Sequence, residues 1–333
     1  MNKKKILICG AGSIGKRHLN NLLMQDVEVT VWRKRLGKKQ ELLDEFEDSI
    51  SVVDDINKAI SNSDAVVVAT ETGSHRSIIE TSIGMNKHLY IEKPIARKPD
   101  GLTELAQQID NRKLAVEIGC QLRKHPSLIR LKQLLTDSSN PIYSFRIYAG
   151  QRLEHWRPGT DYTASYSADR DRGGGVLLDL IHEIDLALWL MGNVKEVYGD
   201  LTQISDQKIQ ADDLANIIIT LDSGAVGQIQ LDLVSPVLRR GIEIITKNKI
   251  YFWDYTSGNL EMFTKEKKEV IESVSGSYKR NDMFLALMNH FLKRIDEVSI
   301  PEICSFEDGI KSLKVVAAIE SSNVHRAPMA IEL

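Results

Sequence analysis

The sequence predicts an α/β protein in two parts, a doubly wound parallel sheet followed by an α+β domain with a large, mostly antiparallel open sheet. In roughly the first 120 residues, short apolar runs alternate with helical stretches, which is the pattern of βαβ units. After about residue 140, strand-like runs follow one another across short turns, which favours antiparallel pairing. The chain has 333 residues, which is longer than a domain with a single hydrophobic core usually is. We therefore expect two domains, residues 1–120 and residues 121–333.

The strands of the first domain are predicted by apolar runs such as Ile6–Cys9 and Ala65–Ala69. These runs have strand length and no polar alternation, which is typical of strands buried on both faces of a parallel sheet. The other predicted strands are 27–32, 88–92 and 114–119, and the predicted helices are 14–24, 37–47, 75–84 and 100–110.

The second domain is predicted to contain strands joined by turns such as "DSG" at 222–224 and "KNK" at 247–249. Its predicted strands are 142–150, 216–221, 227–234, 242–246 and 249–255, and its predicted helices lie near 176–191, 278–297 and 306–325.

Composition excludes several classes of protein. Apolar residues make up 42% and charged residues 27%, and 43 basic against 46 acidic residues leave a net charge of -3. This balance favours neither a nucleic-acid surface nor an anionic membrane. The apolar run at 6–9 is too short for the core of a signal peptide. Cys9 and Cys120 lie in strand-like contexts, so we expect buried thiols and a cytoplasmic protein.

A glycine loop, "GAGSIG" at 10–15, has the G-x-G-x-x-G spacing between the first predicted strand and the first predicted helix. In that context Gly10 allows the tight turn, Gly12 lets a pyrophosphate approach the backbone, and Gly15 lets the helix pack closely. The amides of Ser13 and Ile14 open the helix and can donate to phosphate. An ordinary tight turn without a ligand has the same glycines, but the strand–loop–helix context favours a dinucleotide-binding Rossmann domain.

The end of the second strand bears on the cofactor's ribose, because an acidic residue there hydrogen-bonds the 2′-hydroxyl of NAD. Here the strand ends in Trp32 and is followed by Arg33, Lys34 and Arg35, with no carboxylate. A guanidinium can pair with a 2′-phosphate, so NADP is favoured and NAD stays possible. The alternative is that these cations form a solvated surface run.

Four motifs then occur in a specific order. The glycine loop is followed by "VVVATETGSH" at 66–75, by "EKP" at 92–94, and by "RDRGGGVLLDLIHEID" at 170–185. Together they resemble the glucose–fructose oxidoreductase/inositol dehydrogenase/rhizopine-catabolism (Gfo/Idh/MocA) family along the whole chain. The resemblance implies a Rossmann domain and a substrate domain with a large open sheet. It also implies hydride transfer between a nicotinamide and a hydroxyl or carbonyl of a sugar, polyol or sugar nucleotide.

The catalytic residues that the resemblance implies are Lys93, His182 and Asp179. Many relatives carry an aspartate four residues before the histidine, where this chain has Leu178, so Asp179 stands only three before it. Either spacing keeps an aspartate on the helical face of the histidine. His182 is suited to act as acid and base, and Lys93 to polarise the substrate oxygen or to exchange the proton itself. The Lys93–Pro94 bond is expected to be cis, as it often is in relatives.

Further binding residues follow from the same motifs. We expect Thr70, His75 and Glu92 to contact the cofactor, with His75 alternatively capping its helix. A polar loop at 155–175 precedes the histidine helix, and loops of this kind close over substrates. The residues expected to bind substrate, besides Asp179 and His182, are Arg123, Trp156, Arg157, Asp161 and Tyr162.

Two rival functions share this fold. One is a dinucleotide-binding sensor or regulator without turnover, which would be expected to lose Lys93 or His182. The other is a glycosidase that uses NAD for transient oxidation and elimination. No group of His and Cys has metal-ligand spacing, so no metal is expected. The open sheet of the second domain needs a covered face, so we expect a homodimer or homotetramer.

Overall fold

The computed structural model describes residues 3–33, 39–156, 159–274 and 276–333. It contains two compact units. The first consists of Met1–Ala96, Asp100–Gln121 and Lys279–Ile310, and the second of Arg97–Pro99, Leu122–Tyr278 and Lys311–Leu333. A break near residue 120 is therefore present, and the first unit also takes in a late segment that the sequence boundaries did not include. Within the described residues, no helix is both long enough and apolar enough to cross a membrane.

The first unit contains a six-stranded sheet in the order β3-β2-β1-β4-β5-β6. Every pairing in it is parallel, as predicted. Apolar runs such as that of β4 are buried on both faces. The strands are β1 Lys4–Cys9, β2 Val27–Trp32, β3 Ser51–Val53, β4 Ala65–Val68, β5 His88–Ile91 and β6 Val116–Ile118.

Helices flank this sheet, and one of them comes from the late segment. The helices are α1 Ser13–Leu23, α2 Lys39–Phe46, α3 Ile56–Ser61, α4 His75–Gly84, α5 Leu102–Asn111 and α9 Arg280–Asp296. In α9, Leu287, Met288 and Phe291 are fully buried in one apolar cluster with residues of β1 and α1. Removing this apolar surface from water explains why 279–310 belongs to the first unit.

The second unit contains a nine-stranded sheet in the order β14-β13-β12-β11-β7-β10-β9-β8-β15. Its pairings are antiparallel except for β10 with β7, so the prediction of a mostly antiparallel sheet is confirmed. The strands are β7 Ile142–Gly150, β8 Val194–Thr202, β9 Leu214–Leu221, β10 Val226–Asp232, β11 Arg239–Thr246, β12 Ile250–Asp254, β13 Leu260–Phe263, β14 Lys268–Glu272 and β15 Met329–Ala330.

Helices lie along this second sheet. They are α6 Pro126–Leu134, α7 Val176–Asp179, α8 His182–Met191 and α10 Phe306–His325, whose first turn falls in the first unit. Burial alternates along β9, as expected for a sheet with one face in the core. The sequence predicts one helix over 176–191, but the structure divides it at Leu180 and Ile181 into α7 and α8.

All three cysteines are buried, and none of them forms a disulfide bond. This confirms the expected buried thiols at Cys9 and Cys120. Burial raises the pKa of the Cys9 thiol to about 12, so this sulfur stays protonated at neutral pH.

Candidate functional site

The glycine loop joins β1 to α1 and makes a tight turn. Gly10 has φ +104°, and a Cβ there would lie 2.5 Å from the carbonyl oxygen of Ala69. A Cβ on Gly15 would overlap the carbonyl oxygen of Gly10. Both positions therefore need glycine for the protein's own packing. Ser13 and Ile14 open α1, where backbone N–H groups lack intrahelical acceptors.

Gly12 differs from its two neighbours. Its φ of -76° and ψ of -169° suit any residue, and no atom of the described residues lies within 4 Å of a Cβ built on it. Close by, Thr70 follows β4, and its backbone nitrogen is 2.9 Å from a Cβ built on Gly10. The Thr70 hydroxyl is buried and has no hydrogen-bond partner among the described residues. Gly12 is a small residue that packing does not require, it opens a helix, and Thr70 with its unsatisfied hydroxyl adjoins Gly10 of the same loop. These features fit a bound dinucleotide.

Arg33 follows β2 directly, and the sequence has no carboxylate in the residues after it, Arg33 to Lys38. The indole of Trp32 donates to the carbonyl oxygen of Asp54 at 2.9 Å, so it is held toward the next segment of the sheet. Lys34 and Arg35, which the sequence also suggests as cofactor contacts, lie outside the described residues.

Lys93 lies just beyond β5, at the same carboxyl edge of the sheet as the glycine loop, where ligands of doubly wound sheets bind. The Lys93–Pro94 peptide bond is cis, as expected. Glu92 continues the strand, because its N–H donates to the carbonyl oxygen of Val68 at 2.9 Å. The Glu92 carboxylate is buried and accepts from His18 Nε2 at 2.6 Å. The structure thus places the side chain of Glu92 against α1.

His75 is the first residue of α4 and is almost fully buried. Its Nδ1 lies 2.9 Å from the carbonyl oxygen of Pro94, and its Nε2 lies 3.1 Å from that of Thr70. Burial lowers the pKa of His75, which outweighs the opposing effect of these two acceptors. The neutral ring donates to one carbonyl at a time. It does not cap the helix, since Ser74 is the N-cap residue and makes no side-chain bond. Protein carbonyls occupy both ring nitrogens.

In the second unit, His182 and Asp179 are both buried. Asp179 ends α7 and accepts a hydrogen bond from the Ser167 hydroxyl at 3.0 Å, whereas His182 begins α8. The sequence predicts that the two residues lie on one face of a continuous helix. This is wrong, because α7 ends at Asp179 and α8 begins at His182. The break turns the chain between them, and Asp179 is tied to the polar loop that precedes it.

Two buried ion pairs hold the first turn of α8. Asp185 accepts two hydrogen bonds from Arg123, at 2.6 Å from Nη2 and 3.1 Å from Nε. Glu183 lies 2.7 Å from Nε of Arg240 on β11. The structure therefore places Arg123 in a buried, bidentate pair with Asp185 in the first turn of α8. A charge pair removed from water needs the close, bidentate geometry that Arg123 and Asp185 have.

The polar loop forms a cleft of its own. Trp156, Asp161 and Tyr162 line it, and its remaining lining residues are Leu153, Thr160, Ala164 and Ser165. The polar atoms of the predicted residues are already engaged. Trp156 Nε1 donates to the Gln151 carbonyl oxygen at 3.0 Å, and the Tyr162 hydroxyl accepts from the Lys208 N–H at 3.3 Å. A ligand in the cleft would therefore contact the aromatic faces of Trp156 and Tyr162. Arg157 lies outside the described residues.

Asp161 closes a turn of that loop. Its carboxylate accepts from Thr163 N at 2.9 Å and from Thr163 Oγ1 at 2.7 Å. These hydrogen bonds lower the pKa of Asp161, so it carries a negative charge at the exposed edge of the cleft.

Sequence reasoning did not assign three residues that the structure brings to these sites. His18, Glu183 and Arg240 each make a buried polar contact with a site residue or its helix. His18 carried a weak signal, because it lies three residues after Gly15 and close to the glycine loop. Arg240 carried none, since its partner is 57 residues away along the chain.

The parallel sheet, the glycine loop and the lysine at the strand edge define a dinucleotide-binding α/β protein. Residues 4–120 match a family model described as the oxidoreductase family with an NAD-binding Rossmann fold. Residues 142–250 match the GFO/IDH/MocA C-terminal domain. The chain belongs to the GFO/IDH/MocA oxidoreductase family, and the sequence-based resemblance is confirmed.

Individual relatives have low sequence identity to this chain, but their alignments cover most of it. Myo-inositol 2-dehydrogenase of Thermotoga maritima is 26% identical over 68% of this chain and 67% of its own length. UDP-N-acetylglucosamine 3-dehydrogenase of Acidithiobacillus ferrooxidans is 23% identical over 93% of each chain. A solved structure of levoglucosan dehydrogenase with NADH is 18% identical, covers 99% of this chain and 100% of its own, and superposes with a TM-score of 0.86. That likeness shows the shared fold.

Proposed function

We propose that this protein is an NAD(P)-dependent dehydrogenase or reductase that acts on a CH–OH or carbonyl carbon of a sugar, polyol or sugar nucleotide. The observation that carries the proposal lies at the edge of the parallel sheet where Lys93 follows β5. There the open position at Gly12 and the unsatisfied hydroxyl of Thr70 form what we call the cofactor cradle. Named relatives support the reaction class, because they are dehydrogenases of inositol and of UDP-N-acetylglucosamine.

A bound nicotinamide would supply or accept the hydride, and the chain's own residues would bind, orient and exchange a proton. We assign the cofactor's phosphates to the backbone of Gly12, Ser13 and Ile14, and a ribose hydroxyl to Thr70. Lys93 donates a hydrogen bond to the substrate oxygen, since an ammonium offers donors and a charge of the right sign. His182 takes up or releases the proton, because an imidazole can serve as acid and as base.

Asp179 is proposed to orient the substrate or the imidazole. Its buried bond to Ser167 supports this assignment, because it fixes the carboxylate at the end of α7 against the polar loop. The cleft at Trp156 and Tyr162 supports recognition of a sugar ring, since aromatic faces stack on the apolar face of a pyranose.

The proposed cofactor preference is for NADP, with NAD possible. Arg33 at the end of β2 and the absence of a carboxylate there support it. Titrations of the protein with NADPH and with NADH measure the preference directly. At least fivefold tighter NADPH binding is expected, and tighter NADH binding would contradict the assignment.

A panel of substrates tests the reaction. Myo-inositol, UDP-N-acetylglucosamine and levoglucosan are incubated with NAD and with NADP, and absorbance at 340 nm is followed. Turnover with net reduction of the cofactor is expected. Cofactor binding without turnover would favour a regulator, and turnover without net reduction would favour a redox-elimination glycosidase.

Substitution tests the catalytic roles. Lys93→Ala and His182→Ala should each lower kcat about 100-fold or more, the usual effect of removing an acid–base group. The dissociation constant of the cofactor should stay within twofold. Circular dichroism checks that both variants are folded. Unchanged turnover in both variants would remove the assignment.

We also propose that the protein is a homodimer or homotetramer through the open face of its nine-stranded sheet. Ile218 and Val226 are 48% and 44% exposed on the face opposite the helices, and Ile245 and Ile250 share that face. Light scattering should give a mass of two or four chains, and Ile218→Lys with Val226→Lys should lower it. A monomeric mass for the unmodified protein would end this proposal.

A further inference from the structure

We propose that His18 and His75 are positioning residues that fix the backbone on the two sides of Lys93. The proposal rests on the proposed function, because it takes Lys93 as the group that acts at the nicotinamide. It concerns two histidines on different helices of the first unit, and each contacts an immediate neighbour of the lysine.

His18 acts on the residue before the lysine. It lies on α1 with no exposed surface, and its Nε2 donates to the Glu92 carboxylate at 2.6 Å. Its ring packs edge-on against Tyr90 and Phe284, with ring centres 4.9 Å and 6.2 Å away. On its other side the carboxylate abuts Gly119, where a Cβ would lie 2.9 Å from Oε1. Glu92 is therefore confined to one arrangement.

His75 acts on the residue after the lysine. Its Nδ1 lies 2.9 Å from the Pro94 carbonyl oxygen, and its Nε2 lies 3.1 Å from the Thr70 carbonyl oxygen. The ring is 1% exposed. It therefore fills the short gap between the segment after β4 and the segment after β5, where its single N–H bonds one of the two carbonyl oxygens and the ring packs against the other.

These contacts matter because regular strand pairing stops at this point. β5 ends at Ile91, and the N–H of Glu92 makes the last sheet bond before the lysine. Beyond it, the two histidines connect the lysine segment to α1, which opens at the glycine loop, and to Thr70, which adjoins Gly10. Both contacts thus set the lysine relative to the cofactor cradle. A displacement of about 1 Å can cost about 100-fold in rate, so such fixing has a measurable effect.

A double-mutant cycle tests the proposal. His18→Leu and His75→Leu are each made in the unmodified protein and in Lys93→Ala, and kcat is measured with the pair of substrate and cofactor that turns over fastest in the panel. In the unmodified protein each substitution should lower kcat at least tenfold, with NADPH affinity within twofold. In the Lys93→Ala background each histidine substitution should lower kcat by less than twofold relative to Lys93→Ala alone, because the group being positioned is gone.

Conservative variants and a matched control sharpen the test. His18→Gln can still reach Glu92 in place of Nε2, and His75→Asn can still donate to Pro94 in place of Nδ1, so both should recover most of kcat. His88→Leu is the control. His88 lies at the opposite end of β5, where its Nδ1 accepts from Ala115 N at 2.9 Å, and its removal should leave kcat within twofold.

Hydrogen exchange gives a readout that needs no substrate. The amides of 92–97 should exchange at least tenfold faster in His18→Leu and His75→Leu than in His88→Leu. Equal losses of kcat in both backgrounds, or unchanged exchange, would overturn the positioning role. Normal turnover in Lys93→Ala alone would instead overturn the proposed function.

Discussion

Gly12 offers a direct test of the cofactor cradle, because the structure separates its role from those of its neighbouring glycines. A methyl group at Gly12 meets no atom within 4 Å in the described part of the chain, whereas one at Gly15 overlaps the Gly10 carbonyl oxygen. Gly12→Ala should therefore leave the folded protein intact and obstruct only the ligand. Gly15→Ala should disturb both.

The magnitudes follow from the local geometry. Alanine fits the backbone angles of Gly12. Because alanine makes the unfolded chain less flexible than glycine does, it raises the free energy of unfolding by about 0.4–1 kcal/mol. Gly12 is also the N-cap residue of α1, where alanine is disfavoured by a similar amount, so the net change should stay within about 1 kcal/mol. Extra volume against a close-packed surface costs about 1–3 kcal/mol. Applied to the bound pyrophosphate, that cost weakens cofactor binding about 5- to 160-fold.

Fluorescence titration with NADPH and a thermal unfolding scan measure the two effects. Gly12→Ala should weaken binding at least fivefold with Tm within about 4 °C, while Gly15→Ala should also lower Tm by more than that. Gly84→Ala is the matched control, since Gly84 ends α4 and its Cβ position is equally open. It should change neither affinity nor fold. Normal NADPH affinity in Gly12→Ala would refute the cradle.

The remaining predictions concern the second unit. Asp185→Asn leaves Arg123 buried beside a neutral amide. The free energy of unfolding should fall by about 3–5 kcal/mol and Tm by roughly 6–20 °C. The double variant Arg123→Met with Asp185→Leu should recover most of the lost stability, because no charge is left buried. Additive losses in calorimetry would argue against that pairing. Burial among aromatic rings lowers the pKa of His125 to about 4, below its unfolded value near 6.5. The unfolded chain then binds the extra proton, so the free energy of unfolding should fall as pH drops from about 6.5 toward 4. His125→Phe should flatten that profile in urea titrations, and an unchanged slope would count against the assignment.

Local patterns were enough to predict much of the fold. The run Ala65–Ala69 gave β4 because four successive buried residues suit a strand covered on both faces. α10 was predicted with the bounds that it has in the structure. The three-residue strand β3 carries too few apolar residues to stand out, and the divided helix at 176–191 reads as one helix because its apolar pattern continues through the break.

The sequence by itself determined the parallel and antiparallel sheets, the glycine loop and the position of Lys93 at a strand edge, because these depend on near neighbours along the chain. Only the tertiary structure decided that α9 completes the first core, that Arg123 pairs with Asp185, and that His18 holds Glu92. Each of these joins residues more than 60 positions apart. Which distant groups meet in a buried place is decided by packing and by the cost of leaving a buried charge unpaired, and a local pattern contains neither.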